Sequence, residues 1–458
     1  MPDTGDPPLA AIIKAYMSAH GISTHDEMAR VLGVERSLVS KYISGARKCR
    51  DIAQLRRFAD AMDLPAEALG LLNTPAGLRT QSDDIRQWQF VRQSLNRNRY
   101  ALTTIAARMY WDAERIENTT CLTKAGWIAE SPVELAAVEL EFDGEVNNPL
   151  LSGTEIETES VRPVRADGTR FERYSQAIRT IARPTLFENR TSYRLMDARF
   201  GRSHGRLRFG LTTYFDMVDV CEALAHETAA AWLSRPGTRR LEIDDLPFRR
   251  HIGDLFDTTR RAILPSINTL TVRRGHDGAT FFLHRRGTTS VTLAPGLSHI
   301  IPAGVFQPAA IGPWNIRRDF DLWRNMIHEF FEEFMDAAEH DGSRGTSIDY
   351  EADPYRSLFL ALNEGRVKAW CFGMGFDPLT PAGEILTVAV FDADVFDEVF
   401  TRMALQNAEG ELYPSDPGTV GIRFTSANVR RILNHEPLAA AAAACIALAW
   451  KHRQLLVP

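Results

Sequence analysis

Thr24, Glu27 and Gly33 constrain this chain more tightly than any other feature of its sequence. A threonine three residues before a glutamate has the spacing of a capping box, in which each side chain takes the other residue's backbone N–H at a helix start. Gly33 then ends that helix, because a left-handed turn residue is easy only without a Cβ. Between them Met28, Ala29 and Leu32 fall on one helical face. Beyond the turn, residues 37–43 read as a second short helix with Leu38, Val39 and Tyr42 available for a core. The small Ala29 lets the two helices approach closely.

What remains outward is polar. Glu35, Arg36, Ser37, Ser40, Lys41 and Ser44 can each hydrogen-bond a base edge or a phosphate. Residues 36–57 hold Arg36, Lys41, Arg47, Lys48, Arg50, Arg56 and Arg57 against one acid, Asp51. The chain as a whole carries a net charge of −6, so a nucleic-acid contact has to come from a local excess of this kind.

The run from Thr24 to Arg47 resembles the Cro/C1-type (XRE-like) helix-turn-helix family, and residues 55–64 resemble that family's closing helices. The likeness covers about 65 residues. The glutamine common in the family at the start of its second helix is His25 here. The resemblance implies contact with a duplex DNA operator through Thr24, His25, Glu35, Arg36, Ser37, Ser40, Lys41, Ser44, Arg47, Lys48 and Arg50. It also implies a homodimer, since one recognition helix reads few bases alone. Taken without the resemblance, the same residues also suit a small helical bundle used for protein contacts.

With 458 residues the chain is too long for one core and is expected to form several domains. Its 44% hydrophobic and 24% charged residues are those of a soluble globular protein. Five scattered cysteines without CxxC spacing argue against a disulfide framework or a zinc site and fit a reducing cytoplasm. Residues 1–8 lack the pattern of a signal peptide. The alanine-rich run 438–450 is too short to cross a bilayer and reads as a buried helix, so no membrane contact is expected.

The expected organisation is multidomain. An all-α helix-turn-helix bundle covers 8–73, with a linker at 73–77, and a linker-helix region rich in arginine and aromatics covers 74–118. An α+β middle region (sensor or dimerisation) covers 119–245, and an α/β domain covers 246–458. In the middle, residues 154–161 and 206–214 alternate as strands do, and 217–232 read as a helix.

Three segments of the last region belong together. Residues 279–286 read as a strand ending in Arg285 and Arg286, residues 300–306 as a short strand into a turn at Gly304, and residues 320–336 as an amphipathic helix. On that helix Glu329, Glu332 and Glu333 stand at i, i+3 and i+4, placing three carboxylates on one face. Mutual repulsion of three carboxylates is relieved by a divalent cation with oxygen ligands; a solvated helix face is the other reading.

This order of parts is similar to the Nudix fold. The resemblance implies Mg²⁺ or Mn²⁺ held by Glu329, Glu332, Glu333 and the backbone of Gly304, with Glu332 and Glu333 as catalytic candidates and Arg285 and Arg286 toward a ligand. Residues 407–411 and a helix from Thr425 suit the family's C-terminal half. The departures are that the family's arginine is His328, which cannot copy a bidentate bond to carboxylate, and that Gly304 to His328 is ten residues longer than the family's spacing. They argue against an enzyme. The two resemblances together imply a transcriptional regulator whose Nudix-like region senses a nucleotide-type small molecule. The alternatives are a diphosphate hydrolase tethered to DNA and a non-enzymatic scaffold.

Four further signals each have a structural reading. His226-Glu227 begins like a zinc-protease helix but has Ala230 where a second histidine would stand. Gly373-Met-Gly375 lacks the lysine of a phosphate loop and reads as a turn. Tyr193, Arg194, Tyr214 and Asp216 suit a pocket or an exposed strand face equally. The arginines and aromatics of 84–111 could extend the DNA contact, but read rather as a linker helix that packs on its neighbours or on a second subunit.

Overall fold

The computed structural model describes residues 9–47, 49, 52–62, 64, 83–184, 187–235, 240–286, 297–335, 348–400, 410–416 and 419–458. Lys48, Arg50, the 73–77 linker and residues 407–409 lie outside them. The chain divides into two compact units, 1–83 and 84–458.

The first unit carries α1 (Leu9–Ala19), α2 (His25–Leu32), α3 (Arg36–Ile43) and α4 (Ile52–Ala61). The capping box forms at α2: Thr24 Oγ1 accepts from Glu27 N at 3.2 Å, and Glu27 Oε2 accepts from Thr24 N at 3.1 Å. Gly33 closes the helix with φ 63° and donates its N–H to the Ala29 carbonyl. Ile13, Met28, Leu32, Val39, Tyr42, Phe58 and Met62 make the core, and Tyr42 meets Phe58 edge-on at 5.9 Å.

The second unit is mixed α and β. Its strands are β1 (Glu114–Arg115), β2 (Leu122–Thr123), β3 (Ile128–Glu134), β4 (Val138–Gly144), β5 (Thr191–Phe200), β6 (Gly205–Thr213), β7 (Pro265–Gly275) and β8 (Gly278–Phe281). They continue with β9 (Leu283–Arg286), β10 (Ser298–Ile300), β11 (Ala303–Val305), β12 (Val367–Phe376), β13 (Gly383–Asp392), β14 (Gly410–Leu412) and β15 (Ile422–Arg423). The helices are α5 (Asp83–Arg97), α6 (Arg99–Met109), α7 (Tyr174–Ile181), α8 (Tyr214–Ser234), α9 (Pro247–Ile252) and α10 (Pro313–Arg318). After these come α11 (Leu322–Met335), α12 (Tyr355–Asn363), α13 (Ala393–Val399), α14 (Ser426–His435), α15 (Ala440–Lys451) and α16 (Arg453–Leu456).

Among the described residues the main sheet runs β1-β2-β12-β13-β7-β8-β15, with β11 also on β7 and β3 also on β12. β13 and β7 pair in parallel, from Gly383 opposite Pro265 to Asp392 opposite Arg274. Alternation along β13 sends Ile385, Ala389 and Phe391 into the core that holds Phe330 and Phe334 of α11. Leu386, Val388 and Val390 face the alanine-rich α15 on the other side. The sheet therefore lies between helices, as a sheet buried on both faces must. Because β3 pairs with β12, the regions 119–245 and 246–458 share this sheet.

Several local expectations change. Residues 156–161 are a 3₁₀ helix. Glu155 accepts from the N–H of Ser152 and Gly153, and Thr158 Oγ1 bonds the Gly153 and Glu155 carbonyls, so local side-chain bonds outbid a strand ladder. Residues 279–286 break at Phe282 into β8 and β9, which belong to different sheets. Gly304 sits inside β11 opposite Ile267 and makes no turn. Gly373 and Gly375 lie in β12, where a Cβ at 373 would meet the Trp127 carbonyl oxygen at 2.0 Å and one at 375 would meet Cys121 Sγ at 2.5 Å. The glycines admit neighbouring chain where side chains would block it. No helix among the described residues is long and apolar enough to cross a membrane.

Candidate nucleic-acid face and acidic site

α3 is short, and its inward residues Val39 and Tyr42 anchor it to the first unit's core. That packing turns Glu35, Arg36, Ser37, Lys41, Ser44 and Arg47 out, all exposed together with Thr24 at the start of α2. Ser40 is half-buried because His25 Nδ1 meets its Oγ at 2.8 Å. That bond ties the first turn of α2 to the outward side of α3, a link the sequence does not display. Arg36 Nε stands 3.6 Å from Asp26, a pair exposed enough to be worth little. Thr24 holds the Glu27 carboxyl below its usual range by hydrogen bonding, so the capping carboxylate stays ionised. The face thus presents two arginines, a lysine and several hydroxyls in a compact patch.

The acidic site of the second unit is built by α11 lying along β11. Asn325 Nδ2 donates to the Val305 carbonyl at 3.4 Å, and Glu333 Oε1 accepts from Ala303 N at 2.9 Å. Glu329 lies between these two, so close over Gly304 that a Cβ there would meet its carboxyl carbon at 2.0 Å. Residues 325, 329 and 333 therefore follow β11 down one helix stripe. Glu333 is buried at 3% exposure and serves the strand's backbone. The residues that come together are His328, Glu329 and Glu332, whose potential ligand atoms lie within 4.8 Å of one another. His328 Nε2 stands 3.0 Å from Glu332 Oε1, so the imidazole lies directly beside that carboxylate. A ring nitrogen and two carboxylates can hold a divalent cation.

Arg285 lies apart on the small β10-β9-β14 sheet, with its guanidinium over the Tyr413 ring and 3.2 Å from the Tyr413 hydroxyl. Arg286 ends the same strand, and its side chain lies outside the described residues. Tyr193 and Arg194 are buried: Tyr193 donates its hydroxyl to the Ile316 carbonyl, and Arg194 reaches the Asn147 and Thr258 carbonyls. Asp216 accepts from Thr213 at the start of α8.

The sequence reading missed the polar interior around α8, which is buried from Met217 to Ala229. Glu222 receives Arg92 from α5 and Arg99 from α6, the latter at 2.7 Å. Burial alone would raise the Glu222 carboxyl, but Arg99 and Arg92 override it and hold it at about 2. His226 bonds the Tyr174 hydroxyl at 2.9 Å and stacks on Trp88, and burial with Arg92 nearby drops its imidazole to about 3. Glu227 accepts from Phe248 N and Arg249 N, capping α9, so the His226-Glu227 pair is structural. The available signal was the placing of Asp219, Glu222, His226 and Glu227 among apolar residues of one helix.

No family model matches the chain, and no curated protein matches it.

Proposed function

We propose that the protein is a DNA-binding transcriptional regulator. The first unit acts as a helix-turn-helix domain that docks α3 on an operator, and the second unit senses a small molecule of the nucleotide type. The observation that carries this reading is the exposed basic and hydroxyl-bearing side of α3, packed through Val39 and Tyr42 behind a capped α2 and a Gly33 turn. Phosphates would take Arg36, Lys41 and Arg47, while Ser37 and Ser44 are of a size to meet base edges or backbone. The working form is a homodimer in the cytoplasm, because two half-sites supply the specificity one short helix lacks. A ligand then acts by favouring the DNA-competent or the incompetent form of that dimer.

The experiment is binding of the full chain to duplex from its own upstream region against random duplex. It is repeated with nucleotide sugars and ADP-ribose, whose own binding is followed by calorimetry. Preference for the upstream duplex supports the regulator, and a shift of that preference by one of the compounds supports the sensor. Calorimetric silence across the panel removes the nucleotide class.

A second reading, a metal-dependent diphosphate hydrolase, is favoured by the contact of Glu329 with Gly304 beside His328 and Glu332. It requires phosphate release that collapses in Glu332→Gln, and equal release by both proteins excludes it.

A further inference from the structure

The ligand set that α11 assembles differs from an all-carboxylate one, and the difference selects an ion. Glu333 is committed to the backbone N–H of Ala303. In its place the group that converges is His328, Glu329 and Glu332, one imidazole nitrogen with two carboxylates. We infer that this stripe of α11 holds a first-row transition cation of the Co²⁺ and Zn²⁺ class in preference to Mg²⁺.

A second observation points to a ligand at the same place. Asn325 stands one turn earlier on the stripe 325, 328, 329, 332 and is 6% exposed. Its Nδ2 is turned to Val305, next to the Gly304 against which Glu329 lies, and among the described residues its Oδ1 has no hydrogen-bond partner. A buried amide oxygen without a donor is costly. A water bound to a cation beside Glu329 supplies that donor.

The ion class follows from the donors. Mg²⁺ takes oxygen ligands and keeps its waters, and an imidazole offers it little. Co²⁺ and Zn²⁺ accept imidazole nitrogen together with carboxylate oxygen, and they bind such mixed sites more tightly along the first-row order. The two carboxylates carry a charge of −2, which a divalent cation neutralises. Glu329 and Glu332 are half-buried, so the stripe stays open to an ion arriving from solvent. The inference is independent of the DNA reading, since it concerns the second unit alone and is tested without DNA.

The test uses the full chain stripped with a chelator and titrated with Co²⁺, followed by its visible absorption, with Zn²⁺ and Mg²⁺ as competitors. One Co²⁺ per chain is expected, displaced by Zn²⁺, and bound at least about 100-fold more tightly than Mg²⁺. Glu332→Gln and His328→Gln should each weaken Co²⁺ at least about tenfold. Thermal unfolding establishes that each variant is folded, and if His328→Gln is not, Glu332→Gln decides alone. Failure of Co²⁺ to bind, Mg²⁺ binding as tightly as Co²⁺, or unchanged Co²⁺ affinity in a folded variant would each overturn the inference.

Discussion

The Glu333 carboxylate accepts the backbone N–H of Ala303 at 2.9 Å, so a helix side chain closes the outer edge of a three-residue strand. β11 pairs with β7 on its other side only through Ala303, Gly304 and Val305. A buried edge of that kind needs a partner for its N–H. Glu333→Ala should therefore destabilise the second unit by roughly 1–3 kcal/mol. Denaturant unfolding of the full chain checks this; a change within about 0.5 kcal/mol would show that the bond contributes nothing net.

Gly304 and Gly373 should differ in how much alanine costs them. At 304 the obstructing atoms are the far end of Glu329, which can swing aside. Gly304→Ala should cost less than about 1 kcal/mol while removing Glu329 from its position, so cation binding falls and stability does not. At 373 the obstruction is the Trp127 backbone, and φ is 131°. Gly373→Ala should cost about 3 kcal/mol or more. Thermal unfolding of the two variants side by side separates them.

Glu222→Ala leaves Arg92 and Arg99 buried without their carboxylate. Removing one member of a buried ion cluster costs about 3–5 kcal/mol, because the charges that remain lose their counter-ion. Loss below 1 kcal/mol would mean that water reaches the arginines.

His226 makes stability depend on pH. Its imidazole, held at about 3 against an ordinary 6.5, stays neutral in the folded chain, whereas the unfolded chain takes up a proton below 6.5. Stability from this group is thus complete above about pH 6.5 and falls as pH drops toward 3, by up to about 1.4 kcal/mol per pH unit. His226→Gln should flatten the profile of denaturant stability between pH 5 and 7 relative to the parent. Parallel profiles would contradict the assignment.

What could be read in advance was local. Thr24, Glu27 and Gly33 specify α2 and its exit through bonds spanning three to four residues, and those bonds form. The i, i+3, i+4 spacing of Glu329, Glu332 and Glu333 was visible as well, but where Glu333 points depends on the register of β11 thirty residues earlier. The pairs Arg92–Glu222 and Arg99–Glu222 span 130 and 123 residues, so no window on the sequence contains both partners. Residues 154–161 misled for the converse reason: their alternating pattern suits a strand, yet Glu155 and Thr158 bond the chain locally and wind it.

The most direct test of the regulator is the salt dependence of DNA binding by the full chain and by the Arg36→Ala, Lys41→Ala double variant. The account predicts that the parent binds its upstream duplex with affinity falling steeply as salt rises. The double variant should bind more weakly, with the slope of log affinity against log salt reduced by about two. Identical slopes for the two proteins, or no preference of the parent for the upstream duplex with the nucleotide compounds present, would contradict it.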